Sequence, residues 1–361
     1  MNKMNQVKEV SLDHRVNISK NTVKNRLILE YYQRMAVIAV RMKAPKEEIN
    51  TIKNRMNRLE NCNKFWQMEV YETNKVKLLL RSFLCHDKFC INCKRIKQLI
   101  LKKRFLPLMA KHSNTMYHVT LTVPVCTGKE LRYVLQHMAR CFKTLVSYLN
   151  GNKKISGMDF TRYEFKGGIR SLEIDYNGDE YHPHYHVAAV FNNPSIVENK
   201  SIDNKFSTSA RRLFSEFESV LQRIWWLLMN GQRLSYDSII ANSAEDDRYS
   251  CAIDYFRPDS FGVLFDYMTK LRSDREAFME YENFETLYHA LKGIRQIQGY
   301  GVFYNIKAAE DTQNYTEQEY RDISEYIICY EEPTESYEPV SRLAKDMSYT
   351  IIKGEYKDIK K

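Results

Sequence analysis

No stretch of the 361 residues approaches the roughly 18 to 20 consecutive apolar side chains that a membrane-spanning helix requires. The opening residues, MNKMNQVKEV, lack the charged, apolar and small-residue succession of a secretory leader. The expectation is a cytoplasmic protein with no membrane partner. Internal repeats are absent as well, which sets aside solenoid and propeller architectures. Acidic residues are scarce in the first third: residues 1–111 hold 9 Asp and Glu against 25 Lys and Arg, so this third carries +16 and the remainder sums to −6. A disulfide framework is also missing. Of 8 cysteines, Cys62, Cys85, Cys90 and Cys93 cluster within the basic third, while Cys126, Cys141, Cys251 and Cys329 are scattered. In a cytosolic chain of this size, clustered cysteines read as a metal site or as buried apolar groups.

What is present is a chain with 43% apolar residues, enough for one large domain with appendages or two modest ones. A basic third beside a nearly neutral body is the electrostatic footprint of a nucleic-acid binder, and also that of a solvated face on an ordinary basic protein. Leu27, Ile28, Tyr31, Tyr32, Met35, Ile38 and Ala39 recur at helical spacing among Lys and Arg and predict an amphipathic helix over 20–43, ended by Ala44-Pro45. A second helix is predicted over 46–60. Residues 65–84 read as a β-hairpin, and Lys94 to Arg104 as the start of a strongly basic helix. Beyond 115 the texture alternates. Strands are predicted at 117–123, 169–176, 184–191 and 299–305, and helices at 129–149, 208–229, 259–273 and 283–294. The fold class is α+β, a central antiparallel sheet with flanking helices, preceded by a basic helical and cysteine-containing segment. Residues 309–361, rich in Glu and Tyr, suggest one or two weak helical stretches.

The chemistry concentrates in His182-Pro-His184-Tyr-His186-Val187. Residues two apart on a strand share a face, so His184 and His186 project together, and neutral imidazole is the commonest metal ligand. Such a pair serves equally well as a packed, hydrogen-bonded element. Glu173, in the preceding apolar strand, adds a carboxylate and makes a mixed nitrogen and oxygen site with positions left for water or a phosphate oxygen. Its plainer reading is a surface carboxylate. His182 ranks behind Glu173, because Pro183 points to a strand beginning or an edge. A second constellation is Tyr267-Met268-Thr269-Lys270, where a phenol and an ammonium three apart share a helix face. Among 25 tyrosines most are structural, but a tyrosyl oxygen can be a nucleophile.

These motifs, in this order, resemble those of the replication initiators of small Gram-positive rolling-circle plasmids, members of the His-hydrophobe-His (HUH) endonuclease superfamily. Tyr117-His118-Val119-Thr120-Leu121-Thr122-Val123-Pro124 looks like the family's first strand motif, His182–Val187 like its metal motif, and Tyr267–Lys270 like its catalytic Tyr-x-x-Lys. Lys292–Phe303 is similar to its Arg-containing, Gly-rich final strand, and Cys62 with Cys85, Cys90, Cys93, Lys94 and Arg95 to its cysteine-containing basic segment. The resemblance covers roughly residues 60–305. Tyr255 competes with Tyr267 but has no Lys three residues on. One departure concerns termination of the reaction: where the family often carries a Glu one helical turn before the tyrosine, this chain has Val263.

The resemblance implies nicking and rejoining of one DNA strand by transesterification on an RRM- or ferredoxin-like core. His184, His186 and Glu173 would hold Mg²⁺ or Mn²⁺, Tyr267 would attack phosphorus to leave a 5′-phosphotyrosine and a free 3′-OH, and Lys270 would neutralise phosphate charge. Lys94, Arg95, Lys97, Lys102, Lys103 and Arg104 would grip DNA. The four cysteines read either as a structural Zn²⁺ site, with His86 able to replace one thiolate, or as reduced buried thiols. The expected organisation is a basic helical region at 1–60, a cysteine-rich DNA-binding module at 61–112, the endonuclease core at 113–308 and an acidic tail at 309–361. Partners would be origin DNA, single-stranded or extruded at the nick, a host helicase and polymerase, and a second copy of the chain in a homo-oligomer. The same residues would serve a transposase or a phage or integrative-element initiator. A non-catalytic, zinc-containing DNA-binding repressor with a structural His pair is the alternative from another class.

Overall fold

The computed structural model describes residues 12–62, 65–71, 76–82, 84–198, 214–241, 251–264, 280–304, 339–342 and 349–353. For residues 12–24, four of the strands, Ala241, Asn92, Arg95 and Leu99 it describes the backbone alone. The chain divides into two compact units, residues 1–100 with 312–361, and residues 101–311.

In the first unit, helices α1 (Leu12–Arg41) and α2 (Lys46–Glu60) pack together. Ile28, Tyr32, Met35, Ala36 and Ala39 form the buried stripe of α1, and Ile52 and Leu59 that of α2. The helical spacing of these apolar residues is what makes each helix bury one side. Strands β1 (Phe65–Tyr71) and β2 (Val76–Ser82) form the expected hairpin. Helix α3 (Ile91–Ala110) follows the cysteine turn, and the boundary between the units falls within it. The tail differs from its reading as weakly helical. Its described parts are two strands at Pro339–Arg342 and Tyr349–Lys353, and the second pairs with β1 in an antiparallel sheet of four. The three consecutive β-branched residues of Tyr349-Thr-Ile-Ile-Lys353 suit a pleated surface better than a helix.

The second unit is built on strands β3 (Met116–Thr122), β4 (Cys126–Thr127), β5 (Phe165–Asn177), β6 (Glu180–Phe191), β7 (Cys251–Tyr255) and β8 (Ile297–Gly301). They form one antiparallel sheet in the order β7-β3-β6-β5-β8, with β4 also on β6. The fold is therefore α+β with a six-stranded antiparallel sheet and flanking helices. Helices α4 (Gly128–Leu149) and α5 (Glu216–Met229) cover one face. Both start with capping boxes, Thr127 with Glu130 and Ser215 with Glu218, which satisfy N–H groups the first turn leaves free. Leu131, Leu135, Met138, Phe142, Leu145 and Leu149 make the buried side of α4. The core beneath them is lined by Val119, Leu121, Val187, Ala189 and Phe191, and Trp225 of α5 donates to the Thr122 carbonyl at 2.7 Å. Helices α6 (Tyr236–Ala241) and α7 (Tyr281–Ala290) complete the described unit.

In this unit β4, β7 and α6 went unpredicted. Strand β8 begins two residues earlier than expected and ends at Gly301, where φ is 58° and the chain turns back. Among the described residues, no helix is long and apolar enough to cross a membrane.

Candidate functional site

The geometry of the second unit's site begins at a turn. Asn177 pairs with Glu180 across a two-residue loop whose first member, Gly178, has φ 61°, the left-handed conformation that short hairpins use at this place. That loop fixes the register of β5 against β6. Glu173 falls opposite His184 and Ser171 opposite His186. A slip of one residue would send Glu173 to the helix-covered face. On the other side of β6, Thr120 pairs with His186 and His118 with Ala188. Side chains alternate, so Tyr185 and Val187 point at α4 and α5, while His118, Ser171, Glu173, His184 and His186 share the opposite face.

There the three candidate ligands converge. Glu173 Oε2 lies 3.0 Å from His184 Nε2 and 2.8 Å from His186 Nε2, and all three residues are buried. Their donor atoms lie close enough together to hold one metal ion. Burial alone would raise the Glu173 carboxyl, but the hydrogen bonds and charge of His184 and His186 overcome it and bring it down to about 2. Glu173 is thus an anion at neutral pH.

The far nitrogens are engaged as well. His184 Nδ1 donates to the carbonyl oxygen of His182 at 3.2 Å, and His186 Nδ1 lies 3.0 Å from His118 Nε2. Anchoring Nδ1 directs Nε2 inward, the outer-shell arrangement found behind metal-bound imidazoles. Ser171, fully buried on the same face, has a hydroxyl with no hydrogen-bond partner among the described residues. An orphan hydroxyl beside two imidazoles and a carboxylate fits a centre that takes a cation together with water or a phosphate oxygen.

His182 shares the face but stands outside the three-donor group. Its ring is 5.5 Å from that of His184. Pro183 lies inside β6 rather than at its beginning. It is tolerated because pairing with β3 stops at His184 and pairing with β4 resumes at Tyr181, so Pro183 sits in the gap between two ladders. His118 was missed as a participant, although its place in an alternating strand beside Thr120 and Thr122 already put it on one face with them. Its ring stacks on that of His186, with centroids 5.1 Å apart, and Phe256 covers it at 5.3 Å.

Of the tyrosines, Tyr255 pairs with Tyr117, and their rings lie 5.0 Å apart on the helix-covered side of the sheet. It faces away from the histidines. Tyr267 and Lys270 lie outside the described residues, as does most of the helix predicted at 259–273. The chain leading to them is described to Leu264, which is buried, with Phe261 packed on Phe256.

In the first unit the four clustered cysteines do meet. All are free and buried, and their Sγ atoms lie close enough together to hold one metal ion. Hydrogen bonds from Cys62, Cys85 and Cys93 hold the Cys90 thiol well below its usual range, while bonding to Cys62 above all pushes Cys85 and Cys93 up. His86 stays half-buried beside them with φ 54° and takes no part in the group. Along α3, Lys94 is buried against the Phe89 ring, the Arg95 side chain lies outside the described part, Lys103 is exposed, and Lys97, Lys102 and Arg104 are half-exposed.

The antiparallel sheet turns two imidazoles and a carboxylate toward one point, a group that could hold a cation on a sheet face. Residues 76–202 match the model of a family described as replication protein, that of rolling-circle plasmids, so over this segment the chain is similar to a replication initiator. The matched stretch includes the cysteine turn, α3 and the whole β5–β6 hairpin with Glu173, His184 and His186. The match points in general terms to a nicking endonuclease that acts on DNA. No curated protein and no solved structure matches the chain.

Proposed function

We propose that the protein initiates plasmid rolling-circle replication by nicking one origin strand through tyrosine transesterification and later rejoining it. The observation that carries this reading is the buried Glu173–His184–His186 group, inside the matched segment, with Nδ1 of both rings anchored from behind. Bound there, Mg²⁺ or Mn²⁺ supplies a Lewis acid and a template on the scissile phosphate. The protein's own residues do the rest. Glu173, His184 and His186 bind; His118 and the His182 carbonyl orient the two rings; Ser171 offers a hydroxyl to an incoming oxygen.

Tyr267 is the nucleophile in this reading. Its oxygen attacks phosphorus, the 3′-oxygen of the preceding nucleotide leaves and takes a proton, and the 5′-phosphate stays on the tyrosine. Lys270 offsets phosphate charge. Two features support Tyr267 over Tyr255: the ring of Tyr255 packs with Tyr117 on the helix-covered side of the sheet, and Tyr255 has no Lys three residues on. Lys97, Lys102, Lys103 and Arg104 supply the phosphate grip.

The test is incubation with an origin-type single-stranded oligonucleotide and Mn²⁺. Wild type forms a covalent adduct whose peptide, mapped by mass spectrometry, contains Tyr267, and Tyr267→Phe forms none. An undiminished adduct with Tyr267→Phe, or none with wild type, removes the assignment.

A further inference from the structure

The cysteine group is not used by the nicking reaction, yet it is the most completely built polar cluster of the first unit. Cys62 Sγ lies 3.6 Å from both Cys90 Sγ and Cys93 Sγ, and Cys85 Sγ lies 3.5 Å from Cys93 Sγ. A disulfide would bring sulfurs to about 2.05 Å. A tetrahedral zinc centre with Zn–S of about 2.3 Å has sulfur–sulfur edges of about 3.8 Å, close to what is found. Cys62 comes from the end of α2, Cys85 and Cys90 from the turn, and Cys93 from the first turn of α3. The backbone N–H of Cys85 donates to Cys62 Sγ and that of Asp87 to Cys85 Sγ, both at 3.4 Å. Such N–H to sulfur bonds are the outer-shell support a thiolate centre requires.

The turn does more than carry thiols. Between Cys85 and Cys90 lies Asp87, a buried carboxylate in a strongly basic stretch. Its Oδ1 accepts from the Phe89 N–H at 2.8 Å, which closes the turn. Its Oδ2 accepts from the Tyr32 hydroxyl of α1 at 2.8 Å and lies 3.5 Å from Arg55 of α2. A third tie runs from the Ile91 N–H, at the start of α3, to Asn25 Oδ1 of α1 at 3.0 Å. Both N-terminal helices are thus fastened by polar groups to the segment the cysteines shape. His86 holds a left-handed backbone that a non-glycine residue adopts only when its surroundings impose it.

We propose that Cys62, Cys85, Cys90 and Cys93 hold one zinc ion, and that this ion fastens α1 and α2 in place through Asp87. On coordination each cysteine still carrying a proton releases it to solvent, and the centre closes with four protein ligands and no place for substrate. Its role is to fix the shape of the turn. Without the ion, one another and the weak N–H bonds to Cys62 and Cys85 are what hold the four buried sulfurs, the turn loosens, and Tyr32, Arg55 and Asn25 lose their common anchor.

Full-length protein tests this with two separate readings, metal content and amide hydrogen exchange of residues 25–60. As purified, the chain carries one zinc per molecule by plasma mass spectrometry, released on titration of the thiols with an organomercurial. Stripping the zinc with a strong chelator raises exchange over 25–60 at least tenfold, and re-adding zinc restores protection. Asp87→Asn keeps its zinc yet shows raised exchange in the same peptides, which separates the fastening from the ion. Cys90→Ser loses the zinc, and if it does not fold, the reversible chelation stands in its place. A chain with no bound metal, or with iron in place of zinc, overturns the assignment. Unchanged protection of 25–60 in the stripped protein overturns the fastening.

Discussion

Among the described residues, two clusters of buried side chains could hold a metal ion, and they are made in opposite ways. The cysteine group is assembled from a helix end, a turn and a helix start, with a spacing of two residues between Cys90 and Cys93 as its only regular feature. The Glu173–His184–His186 group stands on two adjacent strands whose register one short loop decides. The first offers four like ligands and closes on itself. The second offers two imidazoles and a carboxylate, with a hydroxyl alongside that has no partner among the described residues. Turns can wrap a saturated tetrahedron, while rigid strands can leave one side of a cation open to substrate. On the proposed function, fixing a shape and exposing a reactive cation are two tasks divided between two kinds of scaffold.

Substitutions at the sheet centre should separate the two sharply. His186→Ala removes a ligand, and nicking should fall on the order of a thousandfold or more, the equivalent of several kcal/mol of transition-state stabilisation. Oligonucleotide binding and the zinc content of the first unit should persist. An adduct assay beside metal analysis measures both, and parallel loss of zinc would show that the two clusters are not independent. A smaller effect is expected one layer out. His118→Ala leaves all three ligands but frees His186 Nδ1, so Mn²⁺ affinity measured by calorimetry should weaken by about 10- to 100-fold. An unchanged affinity would reduce His118 to packing. The smallest effect belongs to Tyr255→Phe, which faces the wrong side of the sheet, and adduct yield should stay within about twofold of wild type.

How far the sequence alone reached follows the same division. The α+β class, the β5–β6 pair and the three sheet ligands were legible because period-two alternation declares which side chains share a face. His118 was equally declared by its strand, but it touches no substrate group directly and its role exists only once β3 is known to lie beside β6. The cysteines were legible as a group. Asp87 was not, since nothing in the local sequence shows that Tyr32 and Arg55, 55 and 32 residues earlier, converge on it. Strand β7 hid in five residues after a polar stretch, and the tail strands hid because the sheet they extend, through the pairing of Tyr349–Lys353 with β1, starts at the other end of the chain. Tyr267 and Lys270 are known by their motif alone.

Pairing of Phe65 with Lys353 joins residues 288 positions apart. During translation at the usual 5–20 residues per second, β1 leaves the ribosome about 15 to 60 seconds before the strand that covers its edge exists. The helices and the cysteine turn need nothing beyond residue 93 and can settle in that interval, but the four-stranded sheet cannot close. An open strand edge is a template for wrong partners, including the same strand of a neighbouring nascent chain. Synthesis order therefore sets an order of assembly, in which the first sheet to be started is the last to be finished.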